Sequence, residues 1–431
     1  MSKAFFLISF LANISCNEAL QVQRMSAQEY QTKRRQPGGH LALDCPILIT
    51  GALPVQDCEE LCEEWIQSVG SEMITIQRKK KDDNMKSTTQ LYECTVAQSL
   101  DLMMKSTSND SIFAFLEGLL DSRQVFGDDD SDPETIQQQE DVLDSIQDRL
   151  TMARESLFSG DDINWFDYFP DNAKPLDCVV LAGEGATSTL HRDPFEWTGT
   201  SLCLEGRKIW RFLKPSDDAD WDARLQYYRL NSTAWDSRND NDGGDSDDDD
   251  NSNIMTLSAG WQSDLSLYQS TSTAHTAASP SSNVKFELLR AHELAEMDDA
   301  ASEEYLEQVA TTYNAFQPHP DIQPMPVMGV DCCSVVQHPG ELLFIPPYWY
   351  HQTYAPEPSL AVASQRCGSR LDATRVVQHI LSLQSTPSSS ELPPALHTLI
   401  DGSVDPVDGD AEETVKVLFD YLQMQEQQQR R

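Results

Sequence analysis

The sequence predicts an α+β protein in which an antiparallel β-sandwich or barrel is flanked by helices. Six short apolar segments lie between about residue 162 and residue 370, most of them ending at Gly or Pro turns. Their spacing is typical of such sheets. With 39% hydrophobic residues in 431, the chain can build a substantial core. The six segments are "CVVLAGEG", "TSLCLEG", "RKIWRFLKP", "CSVVQHPG", "ELLFIPP" and "SLAVASQRCG".

Strand and helix signals alternate in the first part of the chain. "CPILITGALP" predicts a buried strand that ends at a Gly/Pro turn. "VQDCEELCEEWIQSVG" then places Leu61, Trp65 and Val69 on one face of a helix. "EMITIQRKKK" alternates like a strand, and "DPETIQQQEDVLDSIQDRLTMARESLF" predicts a long amphipathic helix with an acidic start that suits the helix dipole. Two further helices are predicted at 369–384 and 411–427.

These signals divide the chain into five parts. The leader has a lysine, then eleven mostly apolar residues, then small and polar ones, which fits a secretory signal peptide. An N-terminal strand or helix is the alternative. An Asp/Asn/Gly-rich stretch and a Ser/Thr-rich stretch interrupt the strand region and are unsuited to a core. We expect a leader at 1–20, a linker at 21–40, an N-terminal α/β region at 41–160, a β-rich domain at 161–370 with the insertion at 236–283, and a helical region at 371–431.

The leader and the cysteines bear on the cellular compartment. A cleaved leader would direct the protein to the secretory pathway and the ER lumen; without one it would stay in the cytoplasm or nucleus. The ten cysteines include no pair of CxxC motifs, so a structural zinc site is not expected. Disulfides and buried free thiols both stay open.

The chain is strongly acidic, with 31 basic and 70 acidic residues and a net charge of −39. Residues 236–250 hold eight Asp and one Arg, which is only −7 of this total, so the acidity is spread along the chain. Such a surface disfavours general nucleic-acid binding and would attract a basic protein segment, with solubility alone as the alternative. No stretch after the leader reaches the roughly 18 apolar residues of a transmembrane helix.

Two segments predict a metal site. In "STLHRDPFEWTG", His191 and Asp193 stand two positions apart after an apolar run, so on a strand both side chains would point the same way. In "HPGELLFIPPYWYHQTY", a turn at Gly340, a buried strand and a double proline precede His351. Two imidazoles and one carboxylate cover one face of an octahedral ion and leave three positions open, as in non-haem Fe(II) oxygenases. Hydrogen-bonded core histidines are the alternative.

The same segments resemble the Jumonji C (JmjC) family of Fe(II)- and 2-oxoglutarate-dependent oxygenases, and most of all its small hydroxylase-like members. The shared blocks are HxDP, GxK-x-W and GE-x-x-F-x-P-x-x-W-x-H, and all three stand here in that order. "CPILITGALP" is similar to the segment that opens the family's N-terminal region. The likeness covers about residues 40–370. It implies a double-stranded β-helix of the cupin or jelly-roll type with flanking helices.

The resemblance also implies the roles of individual residues. Lys208, in "GRKIW", would pair with the distal carboxylate of 2-oxoglutarate, whereas without the motif it would be interpreted as a surface lysine. Trp349 fits a core role or a substrate role equally. Ala363 stands where relatives commonly keep a hydroxyl, which departs from the family pattern. The implied iron ligands and catalytic residues are His191, Asp193 and His351, and the implied cosubstrate-binding residues are Lys208, Ser188 and Ser201, both serines being common on edge strands as well.

The function implied is an oxygenase that uses Fe(II), 2-oxoglutarate and O2 to hydroxylate a protein side chain. N-methyl-lysine demethylation is the alternative within the family, but no reader domain, zinc finger or basic tract accompanies the domain. A non-catalytic cupin that binds partners through its acidic surface is the alternative from another class. The complete ligand set and Lys208 favour the enzyme. C-terminal helices often support dimers in this family, so a homodimer is a further expectation.

Overall fold

The fold is described from a computed structural model. The predicted leader at 1–20 and the predicted insertion at 236–283 lie outside the described residues. The structure describes residues 22–34, 45–81, 87–107, 109–126, 133–158, 164–170, 173–188, 191, 193, 197–214, 291–311, 332–347, 349–368, 370–383, 393, 396 and 410–429.

Two sheets form the centre of the described structure. The larger has nine strands and the smaller has three, and all neighbours are antiparallel except the first two strands of the chain. The strands are β1 Gln23–Ser26, β2 Ile47–Thr50, β3 Met73–Lys81, β4 Ser87–Thr95, β5 Asp110–Glu117, β6 Cys178–Ala182, β7 Thr198–Glu205, β8 Lys208–Leu213, β9 Cys332–Gln337, β10 Leu342–Ile345, β11 Tyr350–Tyr354 and β12 Ser359–Arg366. The large sheet has the order β1-β2-β10-β7-β12-β6-β5-β3-β4, and the small one β11-β8-β9.

Helices cover the outer faces of both sheets. They are α1 Ala27–Arg34, α2 Val55–Val69, α3 Val96–Met104, α4 Ser122–Phe126, α5 Pro133–Glu155, α6 Ala291–Ala295, α7 Asp299–Thr311, α8 Arg370–Leu383 and α9 Asp410–Gln429, with a 3₁₀ turn at Trp165–Tyr168. The apolar faces of α2, α3 and α5 pack on the large sheet, whereas α6 and α7 cover the small sheet. Helices α8 and α9 pack with the 3₁₀ turn in a separate cluster.

The inner faces of the two sheets pack against each other. Leu343 and Ile345 on β10 meet Trp210 and Phe212 on β8 in one buried apolar cluster. All six predicted strand segments form strands, and the predicted turn at Gly340 has a φ of 79°, which favours glycine. The predicted fold class is therefore confirmed: an antiparallel jelly-roll sandwich with flanking helices.

The predicted linker at 21–40 is wrong over most of its length. Residues 22–34 contain β1, which pairs in parallel with β2, and α1. Met25 and Tyr30 are buried, and the Tyr30 ring stacks on Phe344 of β10 at 5.4 Å. The strand extends the large sheet at its β2 edge, and the helix packs on the core through Tyr30.

The described residues show the state of the cysteines and whether any helix could span a membrane. Eight cysteines are free thiols, and seven of them are buried. Burial raises the pKa of Cys58 to about 11 and that of Cys62 to about 12, so these thiols stay protonated and unreactive at neutral pH. No helix in the described parts of the chain combines the length and apolarity needed to cross a membrane.

Candidate metal centre

The three predicted metal ligands come together in the structure. His191, Asp193 and His351 each offer one ligand atom, and these atoms lie within 4.8 Å of one another. Asp193 Oδ1 lies 3.9 Å from His191 Nε2 and 3.5 Å from His351 Nε2, and the two imidazole centroids are 4.3 Å apart. The three side chains therefore surround one point, as a shared metal ion requires.

The backbone positions the two histidines through an isolated antiparallel bridge. The His351 amide donates to the His191 carbonyl at 2.7 Å, and the His191 amide donates to the His351 carbonyl at 3.0 Å. The expectation that one regular strand presents both His191 and Asp193 is not met, because β6 ends at Ala182. His191 instead lies opposite β11, so its side chain is placed by pairing with the strand that carries His351.

Burial keeps His351 in the form that binds metals. Its side chain is almost fully buried, and desolvation lowers its pKa to about 4. Nδ1 lies 3.3 Å from the carbonyl oxygen of Trp349, which favours a proton on Nδ1 and a free lone pair on Nε2. The imidazole is therefore neutral at physiological pH, with Nε2 directed at the site.

Gly199 leaves room for the Asp193 carboxylate. A Cβ atom at this position of β7 would lie 2.5 Å from Asp193 Oδ2 and 3.3 Å from Ile345 Cβ, which is too close for both. The sequence analysis missed Gly199, although it stands between two threonines in a strand, where a glycine often marks a close approach.

A cavity of about 700 Å³ opens at the three candidate ligands and extends between the two sheets. Lys208, on β8, lines it and is only 4% exposed. Its Nζ lies 4.8 Å from the centroid of the Trp210 ring, and burial lowers its pKa to about 8. Among the described residues no carboxylate pairs with this ammonium group. The cavity thus contains a desolvated cation for which the described part of the chain supplies no counter-ion.

The two predicted serines line the cavity in different ways. The Ser188 hydroxyl accepts a hydrogen bond from the Thr353 amide at 2.8 Å, which fixes the chain before His191 to β11. The Ser201 hydroxyl is buried on β7 and has no hydrogen-bond partner among the described residues. Ala363 pairs with Ser201 across the sheet and also lines the cavity. The Ser201 hydroxyl is therefore available to a ligand as donor and acceptor, whereas that of Ser188 has one acceptor site already used.

Of the two roles considered for Trp349, packing in the core and contact with a substrate, the structure shows the first. It is buried in the apolar cluster between the sheets, with Trp210 and Phe212, and its carbonyl faces His351. It does not line the cavity. The cavity wall also contains residues that the sequence analysis did not single out, on β3, β4 and β5: Met73, Gln77, Leu91, Phe113, Phe115 and Glu117.

The donor set fits a divalent first-row transition metal. Two imidazoles and one carboxylate suit iron, and this facial arrangement leaves positions open for other ligands. Because Asp193 and His351 are both buried, such an ion would be shielded from bulk water on the protein side. His191, Asp193 and His351 can therefore hold a metal ion.

Comparison with known proteins agrees with this architecture. A family model described as a cupin-like domain matches residues 38–364, from before β2 to within β12. No curated protein matches the chain. The matched region includes all three candidate metal ligands and Lys208. The chain therefore belongs to the cupin-like domain family.

Proposed function

We propose that the protein is an Fe(II)- and 2-oxoglutarate-dependent oxygenase that hydroxylates a side chain of a protein substrate. The observation that carries this proposal is a single cavity lined by both the His191–Asp193–His351 group and the buried ammonium of Lys208. A metal site alone would suit many cupins. A metal site beside an uncompensated buried cation suits a ligand that chelates metal at one end and carries an anion at the other.

In this proposal the three ligands hold iron at the wall of the cavity. Bound iron would supply the redox chemistry that couples O2 and the decarboxylation of 2-oxoglutarate to oxidation of a C–H bond. The protein would hold the metal on one face, leave the other face open and keep the reacting groups dry. His351, neutral because of its burial, needs no deprotonation to bind the metal at physiological pH.

Lys208 and Ser201 orient the cosubstrate. A carboxylate that reaches Lys208 forms a charge-assisted hydrogen bond and restores the ammonium pKa toward its usual value. The Ser201 hydroxyl offers a second hydrogen bond to a carboxylate oxygen. Ile345 and the Trp210 ring line the cavity nearby and exclude water, which strengthens both interactions.

The first experiment compares the full chain with two histidine variants. We expect His191→Ala to lower the bound iron by about tenfold or more and to abolish succinate formation from 2-oxoglutarate. His338→Ala is the matched control, because His338 pairs with Glu303 at 3.1 Å and does not line the cavity. Metal content and succinate are measured on each purified protein. Equal iron in the wild type and in His191→Ala would contradict the metal site.

The product separates the alternatives within and outside the family. A proteome treated with the wild type, but not with His191→Ala, should gain single oxygen atoms on specific side chains. Loss of methyl groups with release of formaldehyde would identify the demethylase alternative instead. Iron binding without 2-oxoglutarate turnover, in the presence of that proteome, would identify a non-catalytic cupin.

A further inference from the structure

The cavity has an outer wall that the metal and the cosubstrate do not account for. On β5, Phe113, Phe115 and Glu117 alternate on one face, and all three line the cavity. The wall continues over β3 and β4, because Phe113 pairs with Gln77 and Gln77 pairs with Leu91. Leu91 is 74% exposed, so the wall reaches the surface at this end. A substrate that enters here meets two phenyl rings and one carboxylate.

Glu117 is a second carboxylate in this cavity. Among the described residues that line it, only Asp193 and Glu117 carry a carboxyl group. Glu117 is half-buried and has no hydrogen bond or ion pair within the described structure. The cations Arg78 and Lys80 of β3 both bind Asp110, which lies at the other end of β5 from Glu117. Burial raises its pKa to about 7, so the site favours either a proton or an external cation.

The register of the sheet places Glu117 on the same cavity face as the cosubstrate residues, but at a distance from them. Glu117 pairs with Cys178, Cys178 with Ala363, and Ala363 with Ser201. Directly paired residues point to the same side of a sheet. Three strand spacings of about 4.8 Å put the Glu117 backbone roughly 14 Å from that of Ser201. A group bound by Glu117 therefore belongs to the substrate and not to a cosubstrate bound at Ser201.

We propose that Glu117 determines substrate specificity by pairing with a basic side chain, lysine or arginine, of the polypeptide that enters the cavity. The inference that the ligand is a polypeptide rests on the proposed function. The phenyl rings of Phe113 and Phe115 supply apolar surface and negative ring faces for the aliphatic stem and the cationic head. A half-desolvated carboxylate gains more from such a cation than a solvated surface carboxylate does. Basic substrates are thus selected inside the cavity, and this selection is separate from any attraction by the acidic surface.

The test uses a library of short peptides of random sequence as the probe and the full chain as the bait. We expect the wild type to enrich peptides with Lys or Arg by roughly tenfold or more, and Glu117→Gln to lose this enrichment. Glu93→Gln is the matched control: it removes one negative charge from an exposed position on β4, outside the cavity lining, and should keep the enrichment. Glu117→Lys should shift the preference to acidic peptides.

Two results would overturn the proposal: no Lys or Arg enrichment by the wild type, or an enrichment that survives Glu117→Gln. The second result would assign the preference to the overall acidic surface. Thermal unfolding checks that Glu117→Gln remains folded, and it should be no less stable because it loses a desolvated carboxylate. The binding readout does not require turnover. Selection without succinate formation would therefore contradict the oxygenase alone, and succinate formation without selection would contradict the role of Glu117 alone.

Discussion

At the scale of single residues, burial of the Lys208 ammonium opposes folding of the ligand-free protein. Its ammonium group is removed from water between the two sheets without a carboxylate partner in the described structure. A lysine with a pKa of about 8 in the folded state and 10.5 in the unfolded state binds its proton less well when folded. The folded state is therefore destabilised wherever the unfolded state keeps this proton.

Lys208→Met tests this contribution, because it keeps the length of the side chain and removes the charge. Below about pH 8 the ligand-free wild type should be less stable than the variant by an amount on the order of 3 kcal/mol. The difference should shrink as the pH rises from about 8 to 10.5, because the folded state releases this proton above pH 8 and no longer carries a buried charge, whereas the unfolded state keeps its proton up to about pH 10.5. Thermal unfolding of both proteins across this range measures it. A difference that does not depend on pH would contradict the buried cation.

Addition of 2-oxoglutarate gives the second half of this test. The ligand should raise the stability of the wild type near neutral pH and have little effect on Lys208→Met. Its dissociation constant should rise by roughly 10- to 100-fold in the variant, the range expected for loss of a charge-assisted hydrogen bond.

The residues of the candidate metal site could be predicted from the sequence, whereas the rest of the cavity could not. His191, Asp193, His351 and Lys208 stand in short blocks whose residue types and order suggest their chemistry. Glu117 stands in "FAFLEG", where nothing in the local pattern distinguishes a cavity carboxylate from a solvated one. Its position depends on the pairing of β5 with β6, which local periodicity does not encode.

At the scale of elements, β7 provides the space that the Asp193 carboxylate needs. Gly199 lies on this strand, next to Thr200 and opposite Ile345 of β10. The close approach of Asp193 Oδ2 is possible because no Cβ stands in the way. The strand therefore influences the metal site without supplying a ligand.

Gly199→Ala should weaken iron binding by about tenfold or more, because the new methyl group displaces the carboxylate oxygen. Gly51→Ala is the control. A Cβ atom added at this position has no atom within 4 Å, but the backbone φ of 66° is unfavourable for alanine. That control should cost about 1 kcal/mol of stability and leave iron binding unchanged. Iron titration and thermal unfolding separate the two effects. Full iron affinity in Gly199→Ala would show that Asp193 can move without loss.

The elements that the sequence predicted best are those with strong local periodicity. Strands β6 to β10 and β12, and helices α2 and α5, follow from apolar patterns and turn residues within each segment. Strand β1 and helix α1 were predicted as linker because their composition is polar. Their order rests on long-range contacts, such as the pairing of β1 with β2 and the stacking of Tyr30 on Phe344, which join segments apart in the chain.

At the scale of the whole molecule, the net charge of −39 dominates the electrostatics. Most of this charge lies outside residues 236–250, so it acts on the folded domain as well as on the insertion. Like charges at this density repel one another and oppose compaction. The cavity combines both signs of charge, because Lys208 lines it together with Asp193 and Glu117.

Salt should therefore stabilise the protein. We expect the midpoint of thermal unfolding to rise by a few degrees between about 20 mM and 0.5 M sodium chloride. Most of the rise should occur below about 0.2 M, where the Debye length falls to the spacing of surface charges. A midpoint that stays constant or falls with salt would show that favourable ion pairs outweigh the repulsion.

The sequence by itself determined the sandwich architecture, most of its elements, and the identity of the three residues that can hold a metal ion. These depend on residue types and spacings within segments of about ten to thirty residues, where hydrophobic periodicity and ligand chemistry act locally. Only the tertiary structure decided that His191 faces His351, that Gly199 leaves room for Asp193, that Glu117 shares their cavity and that Tyr30 packs on Phe344. The physical reason is that such proximity depends on the pairing and packing of strands far apart in the chain, which no local pattern specifies.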